Sequence, residues 1–115
     1  MKRAGIGFGL MVIAAFLGVS LTMHATGASP AAGDPVKGKA VFTTLKCTMC
    51  HIIAGVGGKM GPDLSAVGTK RDAAWLAKYL PNPKGIDPKN KMPAAKATGQ
   101  DLDNLVAYLL TLKAK

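Results

Sequence analysis

The chain carries two cysteines, Cys47 and Cys50, spaced by Thr48 and Met49 and followed at once by His51. A disulfide between the two thiols would fit an oxidising compartment. It would close too small a loop to stabilise much, since the gain grows with loop length. A dithiol redox site of the thioredoxin kind belongs beside a βαβ unit, and no segment here alternates with the period of a strand. Zinc takes four ligands as a rule, and this cluster offers three.

Cys-x-x-Cys-His is also the attachment pattern of a c-type haem. That chemistry uses all three side chains. Each thiol adds across a haem vinyl group, and the adjacent imidazole reaches the iron from the same porphyrin face. The other histidine, His24, falls in the export segment, which leaves His51 as the proximal ligand. One haem c, covalent through Cys47 and Cys50, is the expected cofactor. A short chain with a modest core needs such a body to fold around, so the apo-protein is expected to be poorly folded.

The elements that must position this cluster begin with an export signal. Met1-Lys2-Arg3 is a short positive start, residues 4–23 carry no charge, and residues 7–19 are strongly apolar. Small residues follow, with Ala25-Thr26-Gly27 and Thr26-Gly27-Ala28 as passable cleavage sites. The apolar run is also about long enough to span a bilayer. Residues 1–27 are therefore a signal peptide or an uncleaved membrane anchor, 28–34 a flexible linker, and 35–115 the folded domain. Either way the domain is expected on the periplasmic or other extracytoplasmic face, because the positive end stays inside.

Composition narrows the classes further. At 115 residues the chain is too short for a multidomain enzyme, a multi-span transporter or a repeat array. Lys plus Arg is 15 and Asp plus Glu is 6, a formal +9. Without Lys2 and Arg3, 13 basic residues face 6 acidic ones, leaving +7. The lysines are scattered singly and Arg71 is the one arginine past position 3. No nucleic-acid motif is present. An acidic protein partner is the expected match for this surface.

Asp34-Pro35 has the form of an N-cap followed by proline at the first helical position. It predicts a helix running to about Lys46 that delivers the cysteine motif at its end. Thr69-Lys-Arg-Asp72 has the capping-box form and opens a helix with Trp75, Leu76, Tyr79 and Leu80, stopped by Pro81-Asn82-Pro83. Thr98-Gly-Gln-Asp101 repeats that start. The last helix then presents Leu102, Leu105, Val106, Leu109 and Leu112 as one apolar stripe, with Lys113 and Lys115 at its negative end. An all-α domain of three main helices and connecting loops follows. The glycine-rich stretch 55–61 is no phosphate loop, because its spacing is wrong and Met60 stands where a hydroxyl is needed.

From Asp34 to Lys113 these features resemble class I monohaem cytochrome c. The attachment motif is one. Gly61-Pro62-Asp63-Leu64 is similar to the family's Gly-Pro-x-Leu loop. Gly38 and Phe42, with Leu105 and Tyr108, resemble the contact between its first and last helices. Lys91-Met92-Pro93 resembles its distal methionine loop. The stretch from Asp87 to Pro93 is similar to bacterial members, including domains attached to terminal oxidase subunits.

The resemblance implies the cytochrome c fold, wrapped around one haem. It implies that the Pro62 carbonyl accepts a hydrogen bond from His51 Nδ1, which fixes the tautomer and raises ligand basicity. It implies iron ligation by His51 and Met92. Met49 lies inside the attachment loop, and Met60 precedes the Gly-Pro turn on the proximal side. Met92 lies 41 residues after His51, enough chain to wrap around the haem. Arg71 or Trp75 is a candidate to meet a haem propionate, since buried carboxylates need donors.

With both axial positions filled, outer-sphere electron transfer is favoured over ligand chemistry. The expected function is electron transfer between redox proteins of a respiratory chain, as a carrier or complex subunit rather than an enzyme. Lys46, Lys59, Lys89 and Lys91 would steer it to acidic patches on a reductase or terminal oxidase. A haem protein with an open distal site, a gas sensor or weak peroxidase, is the alternative. The sequence offers no distal histidine or arginine arrangement for peroxide cleavage. The membrane is a partner only through residues 1–27, if these are retained.

Overall fold

The computed structural model describes residues 33–115. The expected signal peptide or anchor, and the linker up to residue 32, lie outside the described residues. Helix α1 spans Pro35–Thr44. The Asp34 carboxylate accepts from the Val36 and Lys37 amides at 2.8 and 3.3 Å, and Pro35 occupies the first turn, as expected. The helix stops two residues short of the expected end. Lys46 takes a left-handed conformation, φ 55°, and a separate 3-10 turn, Cys47–Met49, carries Cys47, with Cys50 directly after it.

A small hairpin follows. Strand β1, Ile52–Ile53, pairs antiparallel with β2, Val56–Gly57. Its two turn residues, Ala54 and Gly55, both have positive φ, the geometry that tight hairpins require. Alanine is a costly choice there, and Ser65 supports it by accepting the Ala54 amide at 2.9 Å.

Four helices complete the domain: α2 Val67–Lys70, α3 Ala73–Tyr79, α4 Pro83–Ile86 and α5 Gly99–Thr111. The expected capping box at Thr69 is corrected. Thr69 lies within α2 and its hydroxyl donates to the Ala66 carbonyl. Asp72 is itself the N-cap of α3, accepting from the Trp75 amide at 2.7 Å. Thr98 does stand at the N-cap of α5. Its side chain makes no capping bond, because Gly99 at φ 54° turns the backbone away from helical geometry. Lys113 and Lys115 lie past the end of α5, and the Leu112 carbonyl there accepts from the Gly68 amide at 2.8 Å instead.

The core is the crossing of α1 and α5. Leu105, Val106 and Leu109 of the expected stripe are buried. A side chain on Gly38 would run into the Asn104 carbonyl and lie 2.7 Å from the Tyr108 Cβ, so the two backbones need glycine to approach this closely. Phe42 meets Tyr108 edge to face, centroids 5.4 Å apart. Buried Asn104 accepts from the Asp34 amide at 2.8 Å and from the Gln100 side chain at 3.0 Å, tying the start of α1 to α5. Helices α2 and α3 pack on the same helix, and the space they enclose with the cysteine turn and the residue 87–93 loop holds the site. Among the described residues no helix is long and apolar enough to cross a membrane.

Candidate haem site

A cavity of about 710 Å³ opens between the cysteine turn, α2, α3 and the loop before α5. That is within the range of small-molecule sites, roughly 300–1,000 Å³. His51 and Met92, which the sequence reading paired, both line it, although they come from loops far apart in the chain.

His51 is buried, 8% exposed. Its Nδ1 lies 2.8 Å from the Pro62 carbonyl oxygen. A carbonyl only accepts, so Nδ1 carries the proton and donates it. Nε2 is then the ring nitrogen left to ligate a metal. Gly61 makes this contact possible. A Cβ there would stand 2.5 Å from His51 Cε1 and 2.7 Å from Nδ1. The Gly61 amide donates to the Cys50 carbonyl at 2.7 Å, and the Leu64 amide to the Ile52 carbonyl at 2.9 Å. The loop is thereby bound to the backbone on both sides of the imidazole.

Cys47 and Cys50 are both half-buried and form no disulfide with each other. Cys50 lines the cavity, while Cys47 packs at the edge of the core. Burial pushes the Cys47 thiol above its ordinary range. Among the described residues no group of three or more His, Cys, Asp or Glu side chains gathers in a metal-holding arrangement.

Of the other methionines, Met49 stands 67% exposed, and Met60 reaches the cavity rim but is 88% exposed. Met92 is half-buried against the core. Its amide donates to Asn90 Oδ1 at 2.8 Å, and Asn90 Nδ2 donates to the Tyr79 hydroxyl. Tyr79 stacks on Trp75, centroids 4.4 Å apart at 15°, and the Arg71 guanidinium sits 4.1 Å over the Trp75 ring. All of these side chains border the cavity. The sequence singles out Arg71, Trp75 and Tyr79 but gives no sign of Asn90 as a site residue. The i, i+4 spacing of Trp75 and Tyr79 on α3 is the available signal, while Arg71 lies in extended backbone just before that helix.

The residues present fit a haem. An apolar chamber, with Leu64, Val67, Leu76 and Leu80 on its walls, holds an imidazole nitrogen and a thioether, with a thiol alongside. These are the donors that haem iron takes.

Comparison with known proteins gives the same answer. A cytochrome c family model matches residues 35–113. Cytochrome c2 of Rhodomicrobium vannielii is 33% identical, over 84% of this chain and 92% of that protein. Cytochrome c of Chlamydomonas reinhardtii is 36% identical, over 73% and 94% respectively. The crystal structure of SoxXA from P. pantotrophus is similar with a TM-score of 0.62 at 25% identity, covering 71% of this chain and 83% of that one. The chain therefore belongs to the cytochrome c family, as a class I monohaem c-type cytochrome that binds covalent haem c at its Cys-x-x-Cys-His motif and serves haem-mediated electron transfer.

Proposed function

We propose that this protein is an exported one-electron carrier whose haem iron is held by His51 and Met92. The observation that supports this most is a single cavity bordered by both side chains, with His51 Nδ1 committed to Pro62. When bound, the haem iron supplies a one-electron couple. The chain supplies the rest. Cys47 and Cys50 anchor the group through thioether bonds. The Pro62 carbonyl holds the imidazole in one tautomer and orientation. Leu76 and Leu80, both buried, keep water from the chamber. Arg71, over Trp75 at the cavity wall, would meet a propionate.

Exposed lysines supply the approach to partners. Lys46 adjoins the attachment turn, Lys59 the Gly61 loop, and Lys89 and Lys91 the Met92 loop. Met49, Val56 and Met60 add exposed apolar surface on the proximal side. A small interface of this kind, apolar within a basic surround, suits brief and salt-sensitive docking on acidic patches of a reductase or terminal oxidase. The positive, apolar start of the sequence places this work outside the cytoplasm, with residues 1–27 cleaved or retained as an anchor. The test is carbon monoxide added to the ferrous holoprotein. A spectrum that does not change is expected of an iron with both axial positions filled. Ready binding would overturn the carrier reading in favour of an open-site sensor or peroxidase.

A further inference from the structure

The Met92 loop has little regular structure to hold it. Residues 87–98 form no helix or strand, and residues 91, 93 and 94 are exposed. Two of the hydrogen bonds on this segment, those on either side of Met92's backbone entry, run through one side chain. Asn90 is half-buried and uses both ends of its amide. Its Oδ1 accepts the Met92 amide at 2.8 Å, closing a two-residue Asx turn that sets the backbone entering Met92. Its Nδ2 donates to the hydroxyl of Tyr79 on α3. Tyr79 is itself fixed, by stacking on Trp75 beneath the Arg71 guanidinium. The Asn90 backbone N–H donates to the Asp87 carbonyl at 2.9 Å, which closes the turn before it. Beyond Met92, the next tie to the body of the fold is the Ala95 amide on the Leu80 carbonyl at 2.8 Å.

We propose that Asn90 is the positioning residue for the distal ligand: it clamps the Met92 backbone to the Tyr79–Trp75–Arg71 stack and so keeps the methionine on the iron against competing ligands. This rests on the reading that Met92 is that ligand. The side chain suits the task because it must donate and accept at once. Alanine can do neither, and aspartate loses the amide donor. Without the clamp, the loop opens more readily and an external base reaches the iron more often.

The test uses holoprotein at fixed pH. Free imidazole is titrated against the ferric form while the methionine-ligation band is followed. Asn90→Ala removes two hydrogen bonds, each worth about 1 kcal/mol. Imidazole should then bind at least about tenfold more tightly than to wild type. Tyr79→Phe removes one of the two and should move binding about fivefold in the same direction. Asn82→Ala removes a cap from neighbouring α4, where Asn82 Oδ1 accepts the Gly85 amide at 3.1 Å, and touches no atom of Met92. It should lower the melting temperature and leave imidazole affinity unchanged. Asn90→Ala with wild-type imidazole affinity overturns the clamp alone. Equal tightening in Asn82→Ala also overturns it, since general loosening would then suffice. A wild type without the methionine band overturns the ligand assignment and the clamp together.

Discussion

One methyl group added at Gly61 measures how firmly the chain holds its imidazole. The new Cβ would stand 2.5 Å from His51 Cε1. Carbon atoms settle at about 3.5–4.0 Å, so ring and loop must part by about 1 Å. The Nδ1 to Pro62 oxygen distance is 2.8 Å, and a stretch of that size takes it outside hydrogen-bonding range. The imidazole then loses the partner that raises its basicity. A less basic ligand stabilises ferric iron less. A hydrogen bond of about 1 kcal/mol corresponds to about 40 mV in a one-electron couple. The reduction potential of Gly61→Ala holoprotein should therefore rise by about 40 mV in an optical redox titration. Gly55→Ala is the control. Nothing lies within 4 Å of a Cβ there, and φ is +81°, so it should cost about 1 kcal/mol of stability with an unchanged potential. An unchanged or lowered potential in Gly61→Ala would refute the claim that this contact tunes the iron.

Gly38→Ala drives a methyl into the Asn104 carbonyl and the Tyr108 side chain. It should destabilise the holoprotein by about 1–3 kcal/mol, read in a thermal melt. Asn104→Ala leaves the Asp34 amide and the Gln100 side chain without their shared acceptor. A loss of about 1–3 kcal/mol is expected from denaturant titration. Lys59→Gln and Lys91→Gln should slow association with an acidic redox partner at low salt. The difference from wild type should vanish as the screening length falls towards about 3 Å near 1 M salt, which stopped-flow kinetics can follow.

What the sequence made legible was local chemistry. Cys47, Cys50 and His51 are contiguous, so their joint use follows from spacing alone. Asp34-Pro35 likewise carries its whole signal in two residues, and the structure keeps it. The stripe on α5 is long enough for its period to stand out. Where the outcome depended on distant packing, the residues misled. Thr69 to Asp72 matches a capping box, but Asp72 to Trp75 matches an N-cap equally well, and the turn of α2 decides between them. Of the two prolines expected to stop α3, Pro83 starts α4, a helix too short to show a period. The hairpin has two residues per strand, too few to alternate. Lys46 breaks α1 because the cysteine turn must leave at a new angle, and lysine itself announces no such break. Asn90 and Tyr79 are 11 positions apart and meet through side chains only. Nothing in either residue's immediate neighbourhood points to the other.

The pairing of His51 with Met92 on one iron is tested most directly by the ferric optical spectrum of the holoprotein and of Met92→Ala. A methionine-ligation band in the wild type that is lost in the variant, with haem still attached, is the predicted result. A wild type lacking the band, or a Met92→Ala protein that keeps it, would contradict it.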